Sequence, residues 1–450
     1  QATGADPDVL LVDEAAAISV DILAGYLAID RVAFMTTIHG YEGAGRGFSV
    51  RFRDRLQTSA HTVTDASMDQ PIRYAAGDPV EVWSFRALLL DAAPAVESLV
   101  ADATPSSVTL RPLSPGDLAG DEPLLRQTFG LLVMAHYRTE PADLARLLDA
   151  PNVSVRALFH DGHVVSVALL AHEGGLRADR RAAMYEGGRV RGNLIPDVLT
   201  SQLRDEDAGR PVGIRVMRIA THAVARSRGL GSRLLDGIYR EYAEAVDWLG
   251  TGYGATPRLV AFWRRNGFST VHLSTTRNES SGEHSAIMLD PVSEEGAALH
   301  DRHAGWFARR LGAVLPDALA DLDPDVVRAA CEATDTAVDP SLPDEDWRRV
   351  ASAAYGPGLI DVDPGPFRDL ALAHLVDPTD PGLLTADQER LLVRKVLQAT
   401  GWAAVADDLE YPSPRESMRA VSQAFRPLVD AYGAEAALNE RDRFVGPDQA

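Results

Sequence analysis

The run Ile214-Arg215-Val216-Met217-Arg218-Ile219-Ala220-Thr221 is followed, four residues on, by Arg226-Ser227-Arg228-Gly229-Leu230-Gly231-Ser232. The first stretch reads as a strand. The second has the form R-x-x-G-x-G and runs directly into Arg233-Leu234-Leu235, the start of an amphipathic helix. Glycines there let the backbone approach a ligand closely, and the unpaired N–H groups of the helix N-terminus point at an anion such as a diphosphate. A strand at 246–252, a helix at 257–266 and strands at 268–275 and 284–290 are expected to follow the helix at 230–245. A dinucleotide-binding fold would place such glycines after its first strand, with an acid about 20 residues on; here the first strand of the domain lies roughly a hundred residues earlier, which disfavours that fold.

Working outward, residues 153–159 and 163–171 read as strands of a hairpin turned by His160-Asp161-Gly162. Helical patterns fall at 121–138, 140–149 and 193–203. Residues 91–106, rich in Ala, Pro, Asp and Ser, read as a linker. Ahead of it, Asp8-Val9-Leu10-Leu11-Val12 reads as a central parallel strand ending in Asp13-Glu14, then a helix over 18–29, a second buried strand Val32–Thr37, and a Gly-rich loop over 39–47 with a helix after it. Residues 71–80 read as extended, and from about 293 the pattern is helical, with amphipathic runs such as Trp306-Phe307-Ala308-Arg309-Arg310-Leu311.

The chain has 450 residues, 46% of them apolar, enough for several cores. No apolar run reaches the ~20 residues of a membrane span and no leader pattern opens the chain, so a cytoplasmic protein is expected. The lone cysteine, Cys331, makes no internal disulfide and reads as a small buried hydrophobe. A net charge of −21 argues at first against nucleic acid. Of the 44 basic residues, however, all but Lys395 are arginine. Arginine in place of lysine, on an acid-rich surface, suggests a salt-loving, haloarchaeal source, where acidity is a general solubility trait. At molar salt the Debye length is only ~3 Å, yet a local arginine cluster still grips RNA by short bidentate contacts. Arg177, Arg180, Arg181, Arg189 and Arg191 form such a stretch.

The order of elements around R-x-x-G-x-G resembles that of the GNAT acetyltransferases, in which acetyl-CoA lies between two splayed parallel strands. The helix Pro257-Arg258-Leu259-Val260-Ala261-Phe262-Trp263-Arg264-Arg265-Asn266-Gly267-Phe268 resembles their aromatic helix closing in "GF", with Phe262 and Trp263 read as core. Further stretches resemble the RNA cytidine acetyltransferases: Leu10-Leu11-Val12-Asp13-Glu14-Ala15-Ala16-Ala17-Ile18, Gly40-Tyr41-Glu42-Gly43-Ala44-Gly45-Arg46-Gly47, Pro71-Ile72-Arg73-Tyr74, Gly192-Asn193-Leu194-Ile195-Pro196, Arg218-Ile219-Ala220, Gly252-Tyr253-Gly254-Ala255-Thr256 and Ser281-Gly282-Glu283-His284-Ser285. The resemblance implies a multidomain α/β chain. Residues 1–95 would be the later part of a RecA-like ATPase module, 106–292 a GNAT α+β domain, and 293–450 a helical RNA-binding tail.

It also implies site residues. Ile219, Ala220 and Thr221 would offer backbone contacts to the acetyl-pantetheine arm, Arg226, Ser227, Arg228, Gly229, Leu230, Gly231 and Ser232 would hold the pyrophosphate, and Arg265 would touch coenzyme A. Asp13 and Glu14 match a Walker B pair for Mg²⁺ and water, and Arg46 an ATP contact. Two departures stand out. The sequence has no G-x-x-x-x-G-K-[ST] loop, which suggests a chain lacking an upstream segment and unable to hydrolyse ATP well alone, and Arg258 stands where relatives often carry Glu. The implied reaction moves acetyl from acetyl-CoA to the exocyclic amine of the wobble cytidine of elongator tRNA(Met). An N–H near Ala220 or Thr221 would serve the oxyanion, and His284 or His222 would take the proton. The alternatives are a GNAT enzyme acting on protein or small-molecule amines, and a non-catalytic RNA-binding module.

Overall fold

A computed structural model describes residues 7–18, 20–36, 52–68, 70, 72–134, 141–278 and 282–445. The chain divides into two units, Gln1–Gly252 with Arg277–Glu283, and Tyr253–Thr276 with His284–Ala450.

The first unit opens on a parallel pair, β1 (Leu10–Val12) and β2 (Val32–Phe34), in register Leu10 to Val32 and Val12 to Phe34. Val12, Ala15, Leu23 and Phe52 form a small core, with Phe34 edge-on to Phe52 at 4.8 Å. β1 was expected to be a buried central strand, but Leu11 is 66% exposed because only one face of the pair is packed. The helix expected over 18–29 is Val20–Gly25 with a 3-10 turn Tyr26–Ala28. The extended reading of 71–80 ends early, since Asp78 caps Val80 and Glu81 and Pro79 starts a helix to Ala87. The Gly-rich loop and the helix after it lie outside the described residues, apart from the short helix Arg53–Thr58.

The larger sheet of this unit runs β3 (Thr109–Leu113), β4 (Val153–His160), β5 (His163–Gly174), β6 (Val212–Thr221) and β7 (Trp248–Gly254). Neighbours from β3 to β6 are antiparallel, and β6 and β7 are parallel. The β4–β5 turn uses Asp161 and Gly162 at φ 46° and 84°, the left-handed pair of a tight hairpin. Leu131, Leu132 and Phe129 of the helix Glu122–Met134 share one core with Val155, Val167, Leu169 and Ala220. Gly213 of β6 lies flat under the buried Trp248; a Cβ there would come within 2.1 Å of the indole. The stretch read as a linker is packed: Val100 and Ala103 are fully buried.

In the second unit, Thr256 caps the helix Pro257–Arg265, and β8 (Ser269–Arg277) neighbours β9 (His284–Pro291). Helices then follow: Glu294–Val314, Pro324–Glu332, Asp344–Tyr355, Gly365–Val376, Ala386–Leu391, Trp402–Asp408, Pro414–Tyr432 and Glu435–Asp442. Ser293, Asp323, Thr385 and Ser413 cap four of them through side-chain oxygens. Phe367 meets Phe425 edge-to-face at 5.1 Å in the core. Lys395 lies 4.1 Å from the Trp402 ring centroid and 3.2 Å from Asp361. Cys331 is fully buried, which pushes its thiol up to about 12. Among the described residues no helix is long and apolar enough to cross a membrane.

Candidate active site

β6 and β7 pair from Gly213–Trp248 to Val216–Thr251, and there their pairing ends, while β6 continues to Thr221 beside β5. A bulge falls at the same level: Leu170 faces Val216 and Leu169 faces Arg218, leaving Met217 over. One extra residue reverses which side each amide faces. Below the bulge Val212 O accepts from Asp247 N, the residue just before β7, at 2.7 Å; above it His222 N donates to Val165 O on β5 at 2.9 Å. By alternation Arg218, Ala220 and His222 serve the β5 ladder. The N–H groups of Ile219 and Thr221 then turn to the side that β7 has left. Of the three expected contacts, Ile219 and Thr221 present donors there, whereas Ala220 faces β5 and its carbonyl accepts from Ser166 Oγ at 2.9 Å. Ser166 Oγ also lies 2.9 Å from Thr221 Oγ1, fixing that side chain.

Beyond Thr221, a 3-10 turn Ala223–Ala225 leads into the R-x-x-G-x-G loop. Arg226 Nε donates to Thr221 O at 3.2 Å, and Arg228 donates to Ala101 O, tying the loop to the 91–106 stretch. Ser227 and Gly229 take φ 60° and 83°. Gly229 is the N-cap of the helix Leu230–Tyr242 and brings no side-chain cap. The first-turn N–H groups of Leu230, Gly231 and Ser232 therefore lack an intrahelical or capping partner, as a phosphate-binding terminus requires. Leu230, Leu234, Leu235 and Ile238 are buried on the opposite face and hold the helix in place. Arg226, Ser227, Arg228 and Gly229 are exposed, open to an arriving anion.

The two candidate bases, one in each unit, share one arrangement. His222 Nε2 lies 2.9 Å from Ala95 O, and His284 Nδ1 lies 2.8 Å from Ser274 O. A carbonyl only accepts, so the bonded nitrogen carries the proton and the other keeps its lone pair. Those other nitrogens, His222 Nδ1 and His284 Nε2, are buried without a hydrogen-bond partner among the described residues; Asp321 Oδ1 is 4.0 Å from the latter. In its neutral form each ring would therefore have its lone pair on the nitrogen away from the carbonyl, the tautomer of a proton acceptor.

Also in the second unit, Trp263 is buried, edge-to-face with Phe268 at 4.8 Å, as core packing requires, and Phe262 is half-buried beside it. Arg265 is exposed on the last helical turn. Tyr253, unassigned by sequence reasoning, donates from its hydroxyl to Met288 Sδ at 2.9 Å, and burial pushes its phenol well up, keeping it neutral. The quoted stretch Gly252-Tyr253-Gly254 held the signal for it.

The arginine stretch is not one surface. Arg177 opens the helix Ala178–Tyr185 and pairs with Asp179 at 3.2 Å. Arg180, Arg189 and Arg191 are exposed. Arg181 instead is pinned, donating to Leu176 O at 2.8 Å and pairing with Asp207 at 3.4 Å. The neighbouring Gly192-Asn193-Leu194 motif is structural: Asn193 Oδ1 accepts from Gly174 N at 2.8 Å, and the buried Glu173 bridges Ile195 N at 2.9 Å and Arg215 Nε at 2.5 Å. Asp13 and Glu14 are exposed past β1, with Glu14 N donating to Asp13 Oδ1 at 3.0 Å. Arg46 lies outside the described residues.

Residues 127–244 and 234–293 match the family model "GNAT acetyltransferase 2", and residues 1–91 match "RNA cytidine acetyltransferase NAT10/TcmA, helicase domain". Fold and site thus define a GNAT-type acetyltransferase domain preceded by a helicase-type α/β region and followed by a helical one. The chain is 62% identical over 440 residues to tRNA(Met) cytidine acetyltransferase TmcA of Haloferax volcanii, covering 98% of this chain and 58% of that protein. It is 60% identical over 439 residues to the protein of that name from Haloarcula marismortui, covering 98% and 57%. The chain belongs to the RNA cytidine acetyltransferase family. It spans under two-thirds of the length of these curated relatives. Among solved structures, a polyamine N-acetyltransferase of Drosophila melanogaster matches at 16% identity and TM-score 0.30, covering 40% of this chain and 98% of that one. The ribosomal-protein-S18-alanine N-acetyltransferase of Escherichia coli matches at 17% and 0.27, covering 41% and 94%.

Proposed function

We propose that this chain carries the acetyl-transfer half of a tRNA cytidine acetyltransferase, moving acetyl from acetyl-CoA to the exocyclic amine of the wobble cytidine of elongator tRNA(Met). The observation that carries the reading is the pairing of an uncapped glycine-rich helix terminus with a strand whose amides turn away from the sheet, in a chain of this family. The diphosphate of coenzyme A sits on the N–H groups of Leu230, Gly231 and Ser232. The thioester carbonyl accepts from Thr221 N–H, which stabilises the oxyanion as the amine attacks. A C–N bond forms and the C–S bond breaks. The proton lost by the amine goes to His222 or His284, and the thiolate leaves to be reprotonated. A wobble base lies in an exposed loop and enters such a site without melting a duplex.

Arg177, Arg180, Arg189 and Arg191 contact the RNA backbone, with Arg181 supporting the helix that carries two of them. Arg265 reaches coenzyme A. Asp13 and Glu14 suit water-mediated Mg²⁺ at an ATP site that includes Arg46 and needs a phosphate-binding loop absent from this sequence. The units of work are 1–95 for ATP, 106–292 for acetyl transfer and 293–450 for RNA, in a cytoplasmic enzyme.

The test is an acetyl-transfer assay in molar salt with labelled acetyl-CoA and unmodified elongator tRNA(Met), read by nucleoside mass spectrometry. Acetylcytidine at the wobble position is expected. Acetyl-CoA binding without acetylcytidine, also after the longer relatives' ATPase region is supplied, would overturn the RNA target in favour of a protein or small-molecule amine.

A further inference from the structure

The second unit holds a half-open cavity of about 560 Å³, within the size range of small-ligand sites. It lies among the helices Pro257–Arg265, Pro324–Glu332 and Ala386–Leu391 and the end of Gly365–Val376. Two arginines on its wall are occupied edge-on. Arg328 donates from Nε and Nη2 to Glu389 and from Nη1 to Asp325 at 2.8 Å. Arg390 donates from Nε and Nη2 to Asp325, at 2.8 and 3.1 Å, and from Nη1 to Asp387 at 2.7 Å. Each guanidinium nitrogen bonds a carboxylate, so what these groups still offer a ligand is their flat faces and the second N–H of each Nη. Pro257, Pro378 and Pro381 add flat apolar walls.

The hydrogen-bonding groups left over are few and of both kinds. His374 lines the cavity yet is only 1% exposed. Thr379 N–H donates to Tyr432 Oη at 3.0 Å, and that phenol lies 3.1 Å from His374 Nδ1. With the phenol's proton on the His374 side, Nδ1 accepts it and the neutral ring carries its own proton on Nε2, a donor for a ligand in the cavity that His374 lines. Burial holds His374 below its ordinary pKa, in keeping with the neutral form. Glu389 spends Oε2 on Arg328 and Glu332 spends Oε1 on Arg264, which leaves one carboxylate oxygen of each as an acceptor.

Flat faces, one buried donor and carboxylate acceptors fit a planar ring with a carbonyl and an amino group. We propose that this cavity receives one unstacked guanine or cytosine of the bound RNA, stacked on the guanidinium and proline faces, with its carbonyl on His374 Nε2–H and its amino group on Glu389 or Glu332. The proposal rests on the RNA reading above and adds to it a base-holding site apart from the reacting cytidine.

The test titrates the intact chain in molar salt with guanosine, cytidine, adenosine and uridine, read by saturation-transfer NMR. Ala261→Trp and Pro381→Trp fill the cavity from two different elements, and His374→Phe keeps the ring but removes the donor. Guanosine and cytidine are expected to bind the parent chain ahead of uridine and adenosine. That binding is expected to vanish in both Trp variants and weaken in His374→Phe, while acetyl-CoA binding and melting temperature hold. No nucleoside signal in the parent chain, or an equal signal in the folded Trp variants, overturns the site. RNA acetylation measured alongside separates the two readings: acetylation without nucleoside binding sinks the cavity alone, and nucleoside binding without acetylation tells against the acceptor.

Discussion

Val216 is the last residue of β6 to pair with β7, opposite Thr251, and the strand bulges at the very next residue. The end of pairing and the reversal of amide direction therefore coincide, and together they aim Thr221 N–H into the opening. Because that N–H is outside the β5 ladder, Thr221→Pro removes it without breaking a backbone ladder hydrogen bond, and of the cross-strand contacts only that of Oγ1 with Ser166 is lost. The expected result is a fall in kcat of about a hundredfold or more, the usual loss of one oxyanion donor, with acetyl-CoA affinity little changed. Single-turnover kinetics beside calorimetric binding checks it; an unaltered kcat would remove Thr221 from the chemistry.

Gly229→Ala should weaken acetyl-CoA binding for a reason of backbone rather than bulk. A Cβ there meets only Pro105 Cγ, at 3.5 Å, but φ is 83°. Holding alanine in that conformation costs about 1–2 kcal/mol, so the loop relaxes and its N–H groups lose their aim. Calorimetry should show the affinity loss together with a small fall in Tm.

The two histidines are best tested as a pair. A double His222→Ala, His284→Ala variant is expected to lose roughly 10²–10⁴-fold in turnover, the span of general-base catalysis. The matching single variants identify which ring works, and added imidazole should restore part of the rate only where the missing ring was the base. Full turnover in the double variant would exclude both.

Within the arginine stretch, exchange of Arg180, Arg189 and Arg191 for Gln should weaken RNA binding and flatten its salt dependence while leaving Tm alone. Arg181→Gln should do the reverse, lowering Tm, because it breaks the bond to Leu176 O inside the fold. Filter binding at several salt concentrations, with melting curves, tells the two kinds apart.

Acid should destabilise the second unit through His272. Burial first, then Arg310 and His303, hold this ring at about 3. Unfolded, it titrates near 6.5, so below that pH the unfolded state takes up a proton that the folded state refuses. The stability it contributes is full above about pH 6.5 and drains as pH falls towards 3. His272→Asn, whose Oδ1 can still accept from Arg310 in place of Nδ1, should flatten this part of the stability–pH curve; an unchanged slope between wild type and variant would show that other groups set it.

Much of this was legible in the chain because the signals are local. Asp161-Gly162 announces its hairpin, the glycines of 226–231 announce a tight turn into a helix, and Trp263 and Cys331 read as core and are buried. The Asp78-Pro79 pair carries an equally local start signal for the helix that extends to Ala87, and the extended reading of 71–80 passed over it. What stayed hidden depends on distant partners. A bulge leaves no trace in the alternation of β6, since it exists only relative to β5. The role of Arg181 turns on Leu176 O and Asp207, and the tautomer of His284 on a carbonyl ten residues back, at Ser274. Leu11 looked like the middle of a sheet because its apolar run is continuous, yet burial of the outer face depends on layers that a short parallel pair does not itself supply.

Lys395 is the one lysine among 44 basic residues, and it is held between the Trp402 ring and Asp361 with its side chain 11% exposed. An arginine at this place would spread a guanidinium where a compact ammonium fits over an indole. A protein that handles an activated acetyl group risks spending it on its own amines. Here the guanidinium groups that replace lysine elsewhere stay protonated and are poor nucleophiles, and the single side-chain amine is shielded and engaged. Under the acetyl-transfer reading proposed above, a composition with arginine in place of lysine would leave the acetyl donor with almost no side-chain amine of this chain to acetylate.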